Sequence, residues 1–365
     1  MTKIVLCGGH LTPALAQIEE LKKTKNFEIL FFGRKYATEG SRNQSSEYRI
    51  IKNLKIRFYP ITTGRLQRKF TKYTVFSLLK IPIGFLQSFI YLLILRPKMI
   101  ISFGSYLSVP VVICGWLLGI DSIAHEQASV PGLATKINSL FVKKIFLSWR
   151  QSLDFFPSEK TEVIGNLIRK SIFSSHATSK DVASFLKKSK NLILVTGGNQ
   201  GSHFLNKFVF GNLNLFKDFF ILHQVGTVNY MGDFDWAKTI KKKNYLAVDY
   251  LKSQDFGAVL GKAKIVICRS GANTVWELAL CKKPAILIPL PISAGSEQLK
   301  NAQILENAHL AKIINQKDLS PKRLKDALGE IFTNYSNYLE TANRFQKTLP
   351  KNASAKLSAY ILSYT

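Results

Sequence analysis

KIVLCGGHLTPALAQIEELKK, Lys3–Lys23, is a complete strand–turn–helix unit written in one line. KIVLC is an unbroken apolar run of the length expected for a strand buried on both faces. Gly8-Gly9-His10 turns the chain, Thr12 is placed to cap a helix, and Pro13 suits the first helical position. The same construction recurs twice. NLILVTGG (Asn191–Gly198) runs into Asn199-Gln200-Gly201-Ser202, and KIVIC (Lys264–Cys268) runs into Arg269-Ser270-Gly271-Ala272, with a helix expected from about Asn273. MIISFG (Met99–Gly104), DSIAHEQ (Asp121–Gln127), KKIFLS (Lys143–Ser148) and PAILIPLP (Pro284–Pro291) supply further strands between helical patterns. This alternation means parallel sheets with helices on both faces, an α/β protein of two successive doubly wound halves. The polar, turn-rich segment Gln151–Gly165 reads as the link between them. The expected domains are therefore 1–164 and 165–345, with an amphipathic stretch in 346–365 folding back on the first.

With 46% hydrophobic residues over 365 positions, the chain can fill two cores and is not a disordered segment. Cys7, Cys114, Cys268 and Cys281 fit neither a metal-ligand spacing nor a disulfide framework, so free thiols in a reducing cytoplasm are expected. The start, MTKIVLCGG, lacks the basic-then-apolar build of a secretory signal. Lys and Arg outnumber Asp and Glu by 51 to 23, a formal charge of +28. Such a field draws polyanions, either an anionic bilayer or nucleic acid, unless it serves only solubility. No recognition helix, RNP motif or zinc spacing supports nucleic acid, which is not an expected partner.

Between Lys22 and Lys98 there are 17 basic residues and three acids, Glu28, Glu39 and Glu47. Inside that region lies YTVFSLLKIPIGFLQSFIYLLIL, Tyr73–Leu95, broken by Lys80, Pro82 and Gln87. It reads as a membrane span, a core helix, or a helix with one apolar side at a membrane interface. The apolar run after Gln87 is too short to span, which favours the interfacial reading. Phe76 would then meet lipid, and Arg65, Arg68, Lys69 and Lys72 would sit among anionic headgroups.

Three glycine-containing turns stand where open α/β sheets bind ligands, at strand carboxyl ends that open helices. There is no G-x-G-x-x-G and no G-x-x-x-x-G-K-[ST], which argues against a dinucleotide oxidoreductase and a P-loop ATPase. CGGHLTPALA, ISFGSYLSVP, HEQASVPGL, IGNLIRKSI, VTGGNQGSHFLN, HQVG, CRSGANTVWELA and PLPISAGSEQLKNA, in that order from about Lys3 to Leu319, resemble the MurG family. The resemblance implies a GT-B fold, two Rossmann-like domains facing a cleft, with acceptor on the first and UDP-sugar donor on the second. Members move GlcNAc from UDP-GlcNAc to the 4-hydroxyl of undecaprenyl-diphospho-MurNAc-pentapeptide in peptidoglycan synthesis, inverting the anomeric centre. They act peripherally at the cytoplasmic face of the cell membrane, and other cell-wall synthesis proteins are further partners. No cofactor and no protein-held metal are expected.

Carried over residue by residue, the resemblance gives Glu277 the ribose hydroxyls and Ser270, Gly271, Ala272, Asn273 and Thr274 the diphosphate. Arg169 takes a phosphate, Asn199 and Gln200 form the donor-side turn, and Tyr250 and Leu251 hold uracil. Gln298 and Asn301 meet the sugar hydroxyls, which suits amides because each offers donors and an acceptor. On the acceptor side stand Gly8, Gly9, His10, Thr12, Tyr106, Ser108 and Glu126. His10 is the first candidate for general base, since imidazole titrates near neutrality. It could equally bind diphosphate or cap its own helix, and Glu126 competes for the base role. Four departures bear on substrate: the family's GGTGGH is shortened here, Ala128 replaces an asparagine, Asn199 a serine, and Glu297 a His or Gln. A related enzyme with another lipid acceptor, and a non-catalytic membrane-bound scaffold, therefore stay open.

Overall fold

The apolar runs form strands in two all-parallel sheets. In this computed structural model the described residues are 1–24, 26–36, 44–64 and 72–364, the side chains of 72–76 and 294 excepted. Arg65, Arg68 and Lys69 lie outside the described residues, as do the side chains of Lys72 and Phe76. β1 (Thr2–Cys7), β2 (Phe27–Gly33), β3 (Arg57–Pro60), β4 (Met99–Ser102), β5 (Asp121–Glu126), β6 (Lys144–Leu147) and β7 (Thr161–Val163) are ordered β3-β2-β1-β4-β5-β6-β7. β8 (Leu192–Thr196), β9 (Phe220–Gln224), β10 (Tyr245–Val248), β11 (Ile265–Cys268), β12 (Ala285–Leu287) and β13 (Ala311–Ile313) are ordered β10-β9-β8-β11-β12-β13. In each sheet the winding reverses beside the first strand, so β1/β4 and β8/β11 flank the switch points where open sheets take ligands. Two compact units result: Met1–Arg169 with Pro350–Thr365, and Lys170–Leu349.

In the first unit, strand alternation builds two cores. Ile4 and Leu6 face the helices Leu11–Leu21 and Ala353–Ser363, whose Ile18, Leu357 and Ile361 are buried against them. A buried hydrogen bond from Gln17 Nε2 to Ser358 Oγ, 2.7 Å, fixes the second helix on the first. Val5 and Cys7 face the other way, toward Leu92, Val111 and Val112. Cys7, Cys114 and Cys268 are buried, Cys281 is partly so, and all four are free thiols.

Three expectations change. The first helix begins at Leu11, not after Thr12; His10 is its N-cap residue, and Pro13 falls at the third position. Proline is tolerated there because first-turn N–H groups have no partner within the helix. The segment Gln151–Gly165 is no linker: Phe156 is buried, and β7 pairs with β6 at the sheet edge. Its polar composition is that of a short edge strand flanked by 3-10 turns. β2 and β3 were not expected either, because their neighbours are so rich in lysine.

The helix Lys72–Leu95 is one-sided. From Ser77 it is long and apolar enough to cross a membrane by length and composition. Yet Ser88 and Leu92 are fully buried, Gln87 Oε1 accepts from Thr62 N (2.7 Å), and Cys114 Sγ donates to Phe85 O (3.4 Å). Those ties join it to the first sheet, so it cannot enter a bilayer as a span without taking the sheet along. Its other side, Leu79, Ile83, Leu86, Ile90, Leu93 and Ile94, is an exposed apolar stripe at helical spacing.

Candidate active site

At the β1/β4 switch point the turn is pressed against its neighbour. Gly8 has φ +125°, and a Cβ there would lie 2.5 Å from Gly104 O, so only glycine fits. Gly9 N donates to Gly104 O at 3.4 Å. His10 follows in extended conformation and makes no capping bond, which removes the helix-cap reading of its side chain. The residue has exposed surface, yet protein packed around the ring pushes the imidazole pKa down to about 4 by desolvation. His10 is therefore a neutral imidazole at physiological pH.

Beside it is a histidine to which the sequence reading gave no role. His125 is buried on β5, and its Nε2–H donates to Gly165 O at 3.1 Å, while Nδ1 has no partner among the described residues. Burial, with a smaller contribution from His10, lowers its pKa to about 4. Only its place in the HEQ motif could have signalled it. Glu126 is also buried, and its Oε1 accepts from Ala128 N at 3.0 Å, closing the turn after β5. Ser108 is fully buried; its hydroxyl donates to Ser105 O and accepts from Asn138 Nδ2. It braces the turn after β4 from beneath. Tyr106 and Thr12 are half-buried.

In the second unit, two turns meet across β8 and β11. Gly198 and Gly201 both have φ +87°, and Asn199 and Gln200 are exposed at the tip between them. Thr227 N and Oγ1 both donate to Asn199 O, holding the tip to the loop after β9. Across the switch point, Gly271 caps the helix Ala272–Leu280. The N–H groups of Ala272, Asn273 and Thr274 have no acceptor within that helix, which makes its start a site for anions. Ser270 is fully buried and its hydroxyl donates to Gln298 O at 2.8 Å, so it shapes the turn and is not presented to a phosphate. Glu277 is half-buried one turn further on.

Arg269, quoted in a motif but given no role, is the second residue the sequence reading missed. Its buried guanidinium donates to Ser202 Oγ, Ile288 O, Pro289 O and Gln316 Oε1, none of them charged. Among the described residues this cation has no carboxylate partner; it ties the end of the first turn to the start of the second and raises the local potential where a diphosphate would lie. Arg169 is half-buried at the end of the first unit.

The remaining donor-side residues divide into exposed and bracing groups. Tyr250 N donates to Asp249 Oδ1 and Leu251 N to Gln224 Oε1, so a base would be read through their carbonyls. Gln298 Oε1 accepts from Leu290 N, while its Nε2 makes no bond among the described residues and can serve a sugar hydroxyl. Asn301 is fully buried beneath, 3.5 Å from Ser270 O and from Glu297 Oε1. Burial raises the Glu297 carboxyl above its ordinary value.

Gln224, quoted within HQVG but given no role, is a positioning residue. Buried at the end of β9, it donates through Nε2 to Gly198 O (3.0 Å) and accepts at Oε1 from Leu251 N (3.3 Å). One amide thus fixes the turn after β8 and the segment after β10. Gln224→Leu removes both bonds, each worth about 1 kcal/mol. The expected result is a rise of about tenfold or more in KM for a UDP-sugar with little change in kcat, checked by initial-rate kinetics.

One D-x-D spacing does occur, Asp233-Phe234-Asp235. Its carboxylates diverge: Asp233 accepts from His203 Nδ1 (2.7 Å) and Asn206 Nδ2 (2.8 Å), while Asp235 accepts from Asn229 Nδ2. Among the described residues no group of three His, Cys, Asp or Glu side chains converges on a metal-sized site.

Buried histidines give the fold an acid limit. His223 is fully buried, with Nε2–H donating to Asn206 Oδ1 and Nδ1 accepting from Tyr245 O–H, and burial lowers its pKa to about 3. His223 and His125 stay neutral in the fold but titrate near 6.5 when unfolded, so the unfolded chain binds protons first. Their contribution is fully present above about pH 6.5 and is lost as pH falls, by about 1.4 kcal/mol per pH unit for each histidine down to about pH 4. Urea denaturation at about pH 7, 6 and 5 checks this, and His223→Gln should flatten the slope.

The Glycosyltransferase family 28 N-terminal domain matches residues 7–147, and the family 28 C-terminal domain matches residues 192–357. The UDP-N-acetylglucosamine–N-acetylmuramyl-(pentapeptide) pyrophosphoryl-undecaprenol N-acetylglucosamine transferase of Clostridium kluyveri is 30% identical over 371 residues, with all of both chains covered. The transferase of the same name from Clostridium botulinum strain Alaska E43 is 32% identical, with 93% of each chain covered. The crystal structure of Acinetobacter baumannii MurG superposes with a TM-score of 0.69 over the whole of both chains at 23% identity, which shows a shared GT-B fold. The chain belongs to the MurG family of glycosyltransferases.

Proposed function

We propose that this protein transfers GlcNAc from UDP-GlcNAc to the 4-hydroxyl of undecaprenyl-diphospho-MurNAc-pentapeptide, converting lipid I to lipid II. The observation that carries the reading is the β8/β11 switch point: a helix start at Ala272, a buried cation in Arg269 with no carboxylate partner among the described residues, and Glu277 one turn on. Diphosphate, uridine ribose and sugar each find matching chemistry there. The relatives' printed names supply the sugar and the acceptor.

In the reaction, the acceptor hydroxyl attacks C1 of GlcNAc from the face opposite UDP. The new C1–O bond forms as the bond from C1 to the diphosphate oxygen breaks, which inverts C1. Neutral His10 takes the hydroxyl proton, and UDP leaves with the bond's electron pair. The N–H groups at Ala272–Thr274, with Arg269 and Arg169, stabilise the charge that gathers on the diphosphate. Donor binds the second unit and acceptor the first.

The exposed stripe from Leu79 to Ile94 and the surrounding excess of basic residues support a peripheral enzyme on the cytoplasmic face of the membrane, where its lipid-linked acceptor resides. Other cell-wall synthesis proteins belong to the same proposal as partners. The test is transfer of labelled GlcNAc to a short-chain lipid I analogue in detergent. A disaccharide product is expected. No product with UDP binding intact would move the reading to another lipid acceptor or to a non-catalytic scaffold, the directions in which Ala128 and Glu297 point.

A further inference from the structure

We propose that a pocket at the amino edge of the second sheet binds an organic polyammonium ion. It lies wholly within the second unit, where β13 begins, on the edge opposite the turns after β8 and β11. Its volume is about 650 Å³, within the range of small-molecule sites. Four elements wall it: the end of the helix Glu297–Asn307, the start of β13, the end of the helix Pro321–Thr333 and the start of the helix Tyr335–Thr348. Two helix carboxyl ends against one amino end leave the partial charge of the backbone on the negative side, which favours a cation.

The side chains lean the same way. Lys and Arg outnumber Asp and Glu by 51 to 23 in the chain, yet this pocket holds two carboxylates, Glu306 and Glu330, against one lysine. That lysine, Lys312, is already paired with Glu330 at 2.5 Å. Glu306 Oε1 accepts from Ile313 N at 2.9 Å, and its carboxylate makes no ion pair among the described residues. Tyr338 supplies an independent sign of a ligand. It is 7% exposed with its ring in the core of the unit, yet its hydroxyl makes no hydrogen bond among the described residues. The phenol lines the pocket within the fields of Lys312, Glu330 and Glu306, and burial raises its pKa, so it stays protonated and neutral. Asn334 Nδ2 is spent on Glu330 O, which leaves its amide oxygen to offer. That oxygen, the phenol oxygen and the second oxygens of both glutamates suit ammonium groups, each of which brings three N–H donors. A metal ion fits less well, because no three His, Cys, Asp or Glu side chains among the described residues converge on one point.

The test is calorimetry of the full chain with spermidine, which should show one saturable site. On a chain of formal charge +28, diffuse attraction cannot imitate such a site for a polycation. Neither hexanediol, an uncharged chain of similar reach, nor Mg²⁺ at equal concentration should displace it. Glu306→Gln keeps an acceptor for Ile313 N while removing the charge, and should weaken binding by about tenfold or more. Tyr338→Phe keeps the ring and removes only the hydroxyl, and should weaken it by about threefold. Both variants should retain the thermal unfolding of the unmodified chain, and if one fails to fold the other decides. Absence of saturable spermidine binding overturns the proposal, as does unchanged affinity in a folded variant. Displacement by hexanediol or by Mg²⁺ would overturn the assignment of the site to an organic cation.

Discussion

His10→Ala should lower kcat by about two to four orders of magnitude, the range general-base catalysis supplies, while leaving KM for UDP-GlcNAc unchanged. Of the roles left open for this residue, the structure removes the helix cap. Its side chain caps nothing, and desolvation lowers its pKa to about 4. A base must be neutral, and His10 is; a neutral imidazole could still donate its one N–H to a diphosphate, so kinetics has to divide the two roles. If it only bound diphosphate, the variant would raise the acceptor KM and spare kcat. The pH profile offers a second check. A base must be deprotonated, so the acid limb of kcat/KM that belongs to His10 should lie well below 6.5, toward about pH 4. Glu126, buried and bonded to Ala128 N, is the less accessible rival, and a profile that moves in Glu126→Gln and not in a His10 variant would reverse the assignment.

Glu277→Ala should weaken UDP-GlcNAc binding by about a hundredfold or more and leave the acceptor side intact. A carboxylate that accepts from two ribose hydroxyls makes two charge-assisted bonds, and losing them costs about 3 kcal/mol. Glu277→Gln, which keeps one acceptor oxygen, should fall between. Titration calorimetry with UDP measures both. An equal loss of UDP affinity in His10→Ala would contradict the assignment of donor and acceptor to separate units.

The parts of the molecule legible in sequence were those with local causes. Runs such as KIVLC and NLILVTGG announced buried parallel strands, and the turns after them marked both switch points. β3 and β7 escaped because an edge strand is half polar and takes its identity from a partner far along the chain. The helix start at Leu11 was misplaced by two residues because Thr12 and Pro13 satisfy the capping rules, whereas the true N-cap, His10, makes no capping bond that a sequence rule could anticipate. The bracing residues were illegible for a related reason. Gln224, Ser108, Asn301 and Arg269 each have at least one partner between 19 and 67 residues away, which no local pattern encodes.

The helix Ala353–Ser363 closes the core of a unit whose strands are all made before Lys170. The second unit, Lys170–Leu349, is continuous in the chain and can condense as soon as it emerges from the ribosome. The first unit has to wait, roughly ten to forty seconds at bacterial elongation rates of about 5–20 residues per second. The half that carries the exposed apolar stripe is therefore the first to be synthesised and the last to be sealed, and a released chain truncated just short of Ala353 would have a complete second unit and an unfinished first.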